Sequence, residues 1–186
     1  MYGVTLTEAY FPAQADADIL DITVGELLGE IATKHPDAVA MVEIDEAGDA
    51  GQQWTYSDLL ATSDRLARSL ASRFAPGEKV AVWAPNIPEW IFMEYACGLS
   101  GLVLVTVNPS FQAEELRYVL EQSGAVALFM VDEFRGNPMR EIAEQAVAGN
   151  KAIREVVNLS DDVAMYGGDG HDVPLPSVRQ IGRAHV

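Results

Sequence analysis

VAVWAPNIPEWIFMEYACGLSGLVLVTVNP, residues 80–109, decides the fold of this chain. A short apolar run ends at a turn that contains Pro85 and Asn86, a helical segment follows, and a glycine leads into a second apolar run that ends at the turn Asn108-Pro109. Strand, helix and strand in this order form a βαβ unit. Because both runs are continuously apolar rather than alternating, they are typical of strands buried on both faces of a parallel sheet.

The same alternation of strand and helix extends toward the C-terminus. We expect strands at 79–83, 102–107, 126–131 and 155–159, with helices at about 88–100, 113–122 and 137–147 between them. The spacing suits right-handed crossover connections. The predicted fold class is therefore α/β, with a doubly wound, mostly parallel sheet and flanking helices.

A helix and a hairpin precede this series. Thr23, with Glu26 three residues later, predicts a capped helix that stops near His35-Pro36. Strands at 39–44 and 53–56, joined by a polar glycine-containing loop, predict a β-hairpin added to the edge of the sheet. Ser57 is then expected to cap a long amphipathic helix that ends at Pro76-Gly77.

Charge and cysteine content exclude several kinds of protein. The 186 residues carry a formal net charge of −16, whereas nucleic acids and anionic membranes bind clustered Lys and Arg. One functional interpretation of the negative charge is electrostatic attraction of a cationic partner. We favour the other interpretation, which is an ordinary solvated acidic surface. The single cysteine permits no internal disulfide, and the N-terminus lacks a signal-peptide pattern. We expect a cytoplasmic protein without a transmembrane segment.

Glycine-rich loops that could bind phosphate have one weak candidate. Gly167-Gly168-Asp169-Gly170 lacks a nearby Lys and a following helix, and its Asp would repel phosphate. Neither a GxxxxGK[ST] nor a GxGxxG sequence follows a strand. Since phosphate sites need closely approaching backbone N–H groups, we predict no phosphate site in this chain.

Polar residues after the strand at 79–83 are the second candidate. Asn86 and Glu89 lie where open α/β sheets usually bind ligands. We favour a structural interpretation, in which Asn86 caps the next helix, Pro88 occupies its first turn and Glu89 completes a capping box. Trp90 is then a core or inter-subdomain aromatic residue.

Three other features are interpreted structurally. Asn108-Pro109 is a strand-to-helix turn, and Glu114 and Glu115 are favourable charges in a helix's first turn. Cys97 lies mid-helix in an apolar run and is expected to be a buried, unreactive thiol. Since no nucleophile-elbow motif is present, we predict no catalytic, cofactor-binding or metal-binding residue in this chain.

An ordered set of segments resembles the N-terminal portion of the AMP-forming adenylating enzymes, which include acyl-CoA synthetases, luciferases and peptide-synthetase adenylation domains. The segments are TYSDL at 55–59, GEKVAVWAPNIPEWIFMEYACGLSG at 77–101, LVLVTVNPSFQAEELRYVLEQSGA at 102–125, the strand at 128–131 and DEFRG at 132–136. DEFRG, and LVTVNPSFQAEEL at 104–116, look most like the fatty-acyl-CoA synthetase branch. The resemblance covers roughly residues 20–160 and implies that the sheet is half of a larger doubly wound one.

The resemblance implies an activity for a longer parent protein. Family members let a carboxylate attack the α-phosphate of ATP, with Mg²⁺ at the phosphates, and coenzyme A then displaces AMP to give a thioester. Their phosphate loop ending in Pro-Lys-Gly, their ribose-binding Asp and their catalytic Lys have no counterpart here, and Tyr166-Gly167 is not followed by Thr-Glu. We therefore expect an N-terminal fragment that is inactive alone, whose parent uses ATP, Mg²⁺, CoA and a fatty or other carboxylic acid.

The resemblance also suggests boundaries within the chain. We expect an N-terminal arm at 1–22, the α/β subdomain at 23–160 and an irregular tail at 161–186. The codons ATC GGA AGA GCA CAC GTC encode IGRAHV, residues 181–186, and resemble a short-read DNA-sequencing adapter. Because the expected phosphate loop is missing at the same place, we favour an artefact over an ordinary polar C-terminus.

Two other functions stay open at this point. The chain is alternatively a stand-alone flavodoxin-like binding or interaction module, which nucleotide binding would favour. It is also compatible with a fragment of an amino-acid or aryl-acid adenylating enzyme. In the fragment interpretations, the isolated subdomain should expose apolar surface and be marginally stable or aggregate.

Overall fold

The computed structural model describes residues 20–45, 47–167 and 173–176. The helices are α1 (Val24–Lys34), α2 (Tyr56–Ala71), α3 (Pro88–Ser100), α4 (Ala113–Ser123), α5 (Met139–Val147) and α6 (Asp162–Tyr166). The strands are β1 (Val39–Ile44), β2 (Ala50–Thr55), β3 (Lys79–Trp83), β4 (Val103–Val107), β5 (Ala127–Met130) and β6 (Glu155–Asn158).

Four strands form one parallel sheet in the order β4-β3-β5-β6. In the centre of the sheet, Val80 of β3 pairs with Leu104 of β4 and with Ala127 of β5. The chain passes from β3 to β4 on one side, and then crosses back to place β5 on the other side of β3. The predicted α/β class with a parallel sheet and flanking helices is confirmed.

Two hydrophobic cores lie on opposite faces of this sheet. Val80 and Phe129 pack into the core beneath α2 and α3, while Trp83 and Leu128 pack into the core beneath α4 and α5. Because side chains alternate across a strand, each central strand must be apolar at every position to fill both cores. This requirement explains the continuous apolar runs in the sequence.

The hairpin of β1 and β2 does not extend the parallel sheet. Its antiparallel strands form a two-stranded sheet of their own, so the predicted addition to the sheet edge is wrong. Met41 and Trp54 pack against the α2–α3 core, and the Trp54 ring meets Phe92 of α3 edge to face at 5.7 Å. The hairpin is held by side chains that contact the helix layer and not by backbone hydrogen bonds to the sheet.

Helix caps agree with the sequence at α1 and differ at α2. The Thr23–Glu26 capping box is present. At α2, the cap is Thr55 and not the predicted Ser57: the Thr55 hydroxyl accepts from Asp58 N–H at 3.1 Å, and Asp58 Oδ2 accepts from Thr55 N–H at 3.0 Å. The helix begins directly after β2, so the last extended residue becomes the cap and Ser57 lies inside the first turn.

The segment after β6 is predicted to begin an irregular tail at 161–186, but the structure places α6 there. Asp161 Oδ1 accepts from Ala164 N–H at 3.0 Å and caps the helix. Met165 is fully buried, and Arg73 joins the segment to β6 by donating to Ala164 O at 3.2 Å while pairing with Glu155 at 3.0 Å. Predictions on residues 1–19, 168–170 and 177–186 lie outside the described residues.

Candidate functional site

The carboxyl edge of the parallel sheet carries polar side chains that stabilise turns. Asn108 Oδ1 accepts from Ser110 N–H at 2.9 Å, which confirms the predicted turn, and Asn158 Oδ1 accepts from Ser160 N–H at 2.8 Å. Asp132 pairs with Arg140 at 2.6 Å. Each of these side chains is therefore engaged within its own strand-to-helix connection or by the helix that follows.

The start of α3 differs from the capping interpretation. Ile87 occupies the cap position and makes no side-chain cap hydrogen bond, so neither the Asn86 cap nor the Glu89 capping box forms. Pro88 lies in the first turn as predicted, and because it has no N–H, one donor fewer needs a cap. Asn86 stays exposed after the end of β3.

The acidic pair at the start of α4 has the predicted structural role. Both Glu114 and Glu115 lie in the first turn. Glu115 Oε2 accepts from Gln112 N–H at 2.9 Å, and Glu114 pairs with Arg117 at 2.6 Å. Their carboxylates serve the helix terminus and a neighbouring cation separately, which leaves no carboxylate pair for acid–base chemistry.

Reactive groups are scarce in the described part of the chain. Cys97 is buried, and burial together with the charge of Glu94 raises the pKa of its thiol to about 12. It is therefore protonated at neutral pH and is a poor nucleophile. No group of three or more His, Cys, Asp or Glu suitable for a metal occurs among residues 20–45, 47–167 and 173–176. None of the helices described there is both long and apolar enough to cross a membrane.

One large cleft opens between the hairpin and the first half of α3, and we call it the hairpin cleft. Its volume is about 890 Å³. Residues 41–45 line one wall, and the other is formed by Asn86, Ile87, Pro88, Trp90 and Ile91. The lining is mostly apolar, and its carboxylates, Glu43 and Asp45, are both on the hairpin wall.

The hairpin carries no site that was predicted from the sequence. A signal was present in β1, where Val39 to Val42 are four apolar residues in succession and Ile44 follows Glu43. A strand with one buried face needs apolar residues only at alternate positions. The apolar residues of β1 beyond these alternate positions predict that some of its apolar side chains point away from the core. Ile44 is an example, with 60% of its surface exposed.

Comparisons with known proteins agree with the fold. A family model described as AMP-binding enzyme matches residues 28–176. YngI of Bacillus subtilis (strain 168), a candidate acyl-CoA synthetase, is 36% identical over 132 residues, which are 70% of this chain and 23% of YngI. Triostin synthetase I of Streptomyces triostinicus is 34% identical over 158 residues, which are 83% of this chain and 28% of that protein.

A solved structure has a similar fold over 76% of this chain. It is a candidate long-chain-fatty-acid CoA ligase from Rhodopseudomonas palustris CGA009, with a TM-score of 0.64 and 25% identity, over 76% of this chain and 33% of the other. The chain thus spans about a quarter of the length of the two curated relatives and a third of the solved one. It belongs to the AMP-binding enzyme family.

Proposed function

We propose that this chain is the N-terminal part of an ATP-dependent acyl-CoA synthetase and is inactive by itself. The observation that carries the proposal is the family match over residues 28–176 by a chain that spans 23% of YngI. The proposed boundaries are an arm at 1–22, the subdomain at 23–160 and a tail at 161–186, whose last six residues are a sequencing artefact.

The proposed reaction of the longer protein has two steps. The carboxylate of an acyl substrate attacks the α-phosphate of ATP, which forms an acyl-adenylate and releases pyrophosphate. The thiol of CoA then attacks the acyl carbonyl carbon and expels AMP. Mg²⁺ and positively charged or N–H donors stabilise the charge on the phosphates, and these groups belong to the rest of the parent.

Within the parent, this chain would serve as scaffold. The carboxyl-edge side chains stabilise turns, and the Cys97 thiol is buried with its pKa raised to about 12. The described residues would hold strands and loops in place, and we propose that the groups for phosphoryl and acyl transfer lie in the rest of the parent. We also propose a cytoplasmic location, which is consistent with one buried cysteine and an acidic composition.

An amino-acid or aryl-acid adenylating enzyme is the second candidate for the parent. The similarity to triostin synthetase I, at 34% identity, is close to the 36% identity with YngI. Under this alternative the first step is unchanged, but the carboxylate comes from an amino or aryl acid. The resemblance of DEFRG, residues 132–136, to the fatty-acyl branch supports the acyl-CoA synthetase.

The test begins with the native locus. Sequencing through the codons for Ser177 to Val186 should show the reading frame continuing into a Ser/Thr/Gly-rich loop that ends in Pro-Lys-Gly. The longer protein should then release pyrophosphate when ATP, Mg²⁺ and a fatty acid are supplied, and should form a thioester with CoA, whereas this chain should do neither. Pyrophosphate release with a panel of amino and aryl acids, compared with release with fatty acids, distinguishes the second candidate from the first.

Two results would contradict the proposal. A native stop codon directly after Val186 would make this a complete small α/β protein. Saturable binding of a nucleotide to this chain alone, measured by calorimetry, would favour the flavodoxin-like binding module.

A further inference from the structure

We propose that one face of α2 is a clamp that holds the segment after β6, and that this segment opens as a unit while the parallel sheet stays folded. The α2 clamp consists of Arg65, Arg68, Ser69 and Arg73, and the docked segment consists of residues 161–167 and 173–176. The contacts that carry the inference lie within the described part of the chain, so it does not depend on the proposed reaction.

The clamp residues lie on one side of α2. Arg65, Ser69 and Arg73 are spaced four residues apart, and Arg68 is three residues after Arg65. Residues at these spacings are neighbours on a helix surface. The guanidinium carbon of Arg65 lies 3.9 Å from the centre of the Tyr166 ring, and the other three side chains reach the backbone of the docked segment. A single face of one helix therefore makes all of these contacts.

The clamp binds the main chain at the end of α6. Arg73 donates to Ala164 O at 3.2 Å and to Met165 O at 3.4 Å. Ser69 Oγ lies 2.9 Å from Met165 O and 3.3 Å from Gly167 O, so its hydroxyl reaches either carbonyl. Because every residue carries a backbone carbonyl, such contacts fix the path of the segment without requiring particular side chains at these positions.

The contacts continue in the second part of the docked segment. Arg68 Nη1 donates to Val173 O at 3.0 Å. Leu175 packs against the α2–α3 core. The clamp thus holds both described parts of the segment against the same helix layer.

α6 depends on the clamp for its stability. It has five residues, and isolated helices shorter than about 12 residues are marginal in water. The last carbonyls of a helix have no partner within the helix, and Arg73 and Ser69 supply donors to two of them. The positive charge of Arg73 also complements the negative end of the helix dipole. We therefore expect α6 to form only while it is docked on α2.

The docked segment has far less buried surface than the central sheet. Met165 is the buried residue of α6, whereas all four residues of β5 are buried. Regions with few buried apolar contacts open at a lower free-energy cost than the core does. Residues 161–167 should therefore open before β5, and the donors of the clamp should determine how often they do.

Hydrogen exchange followed by mass spectrometry tests this order in the present chain. Arg73→Gln should raise the exchange rates of the amides at 164–167 by at least about tenfold, because hydrogen bonds from a charged group are lost and local opening becomes easier. The amides of β5, at 127–130, should change much less.

Arg154→Gln is the matched control. Arg154 also lies over the Phe74 ring, at 5.2 Å against 5.6 Å for Arg73, and it also pairs with a carboxylate, that of Glu78 at 2.7 Å. Within the described residues, its side-chain hydrogen bond goes to Glu78 and not to the docked segment. Arg154→Gln should therefore leave exchange at 164–167 near the wild-type rate.

Two further variants separate the contacts of Arg73. Glu155→Gln removes the ion pair with Arg73 but leaves the donors to the carbonyls, so it should raise exchange at 164–167 less than Arg73→Gln does. Ser69→Ala removes one neutral donor and should raise exchange by about threefold. Chymotrypsin cleavage after Tyr166 is a second measurement, and it should be faster in Arg73→Gln. Circular dichroism confirms that each variant is folded.

Several outcomes would overturn the proposal. An equal rise in exchange at 164–167 and in β5 would show that the segment opens only with the whole fold. Wild-type protection in Arg73→Gln would mean that other contacts hold the segment, and equal effects of Glu155→Gln and Arg73→Gln would assign the effect to the ion pair. Unchanged protection of 164–167 in Arg73→Gln of the longer protein from the native locus would show that the remaining chain, and not α2, holds the segment.

Discussion

β5 and β1 are both short apolar strands, but β5 is buried and β1 is mostly exposed. All four residues of β5 are buried, whereas four of the six residues of β1 are exposed. β5 lies between two neighbouring strands and between two helix layers. β1 has one strand neighbour among the described residues and contacts helices on one side. Burial therefore follows from the number of covering neighbours, and apolar sequence alone does not determine it.

The largest effect should come from the buried sheet. Phe129 of β5 is fully buried and meets the Phe74 ring edge to face at 6.5 Å. Phe129→Ala should lower the free energy of unfolding by about 3–5 kcal/mol, and Ile44→Ala on β1 by less than about 0.5 kcal/mol, as is usual for exposed positions. Urea denaturation followed by circular dichroism measures both.

Phe129→Leu provides a milder variant if Phe129→Ala does not fold, and it should still cost more than Ile44→Ala. Similar losses at the two strands would break the comparison, because they would show that β1 is as well covered as β5.

The second effect lies where the hairpin joins α2. Thr55→Ala should lower the free energy of unfolding by about 1 kcal/mol, because the Asp58 N–H loses its cap. Thr55→Ser should restore most of this stability, since Ser supplies the same oxygen. Ser57→Ala is the control and should have little effect. A larger loss of unfolding free energy for Ser57→Ala than for Thr55→Ala would show that Ser57, the cap predicted from the sequence, is the capping residue.

The third effect measures how the hairpin is attached. A double-mutant cycle with Trp54→Leu and Phe92→Leu should give a coupling energy of about 0.5–1.5 kcal/mol, the range for aromatic pairs in edge-to-face contact. The rings lie 5.7 Å apart. A coupling energy near zero would mean that the hairpin is held by other contacts, such as those of Met41.

The smallest effect is a pH dependence at the same junction. The hydrogen bond from the Thr55 hydroxyl, at 2.7 Å, followed by that from Thr55 N–H, lowers the pKa of Asp58 below its ordinary value. The folded state therefore favours the charged carboxylate, and this stabilisation is present at neutral pH and lost as the pH falls through the lowered pKa. The stability difference between wild type and Asp58→Asn should shrink between pH 7 and about pH 3.

Ser57→Ala changes no carboxyl group, so its stability should parallel that of wild type over the same pH range. A constant difference between wild type and Asp58→Asn at all pH values would show that the Asp58 charge contributes nothing to the cap.

Local sequence signals predicted the central sheet well and the helix termini less well. The runs at 79–83 and 126–131 are apolar at successive positions. This pattern is typical of parallel strands that are covered by helices on both faces of the sheet. The cap of α2 was misplaced by two residues, because Thr55 and Ser57 are both good caps and the end of β2 decides between them. α6 was missed because five residues are too few for a helical period; Met165 is buried by contacts with distant residues.

The sequence by itself determined the α/β class, the parallel central strands and the family, because continuous apolar runs and the order of motifs are local properties of the chain. Only the tertiary structure decided that the hairpin forms its own sheet, that Asn86 does not cap α3, and that a cleft with acidic residues on its hairpin wall opens beside β1. These features depend on which side chains meet across the helix layer. Such contacts join residues as far apart as Trp54 and Phe92, and no local pattern encodes them.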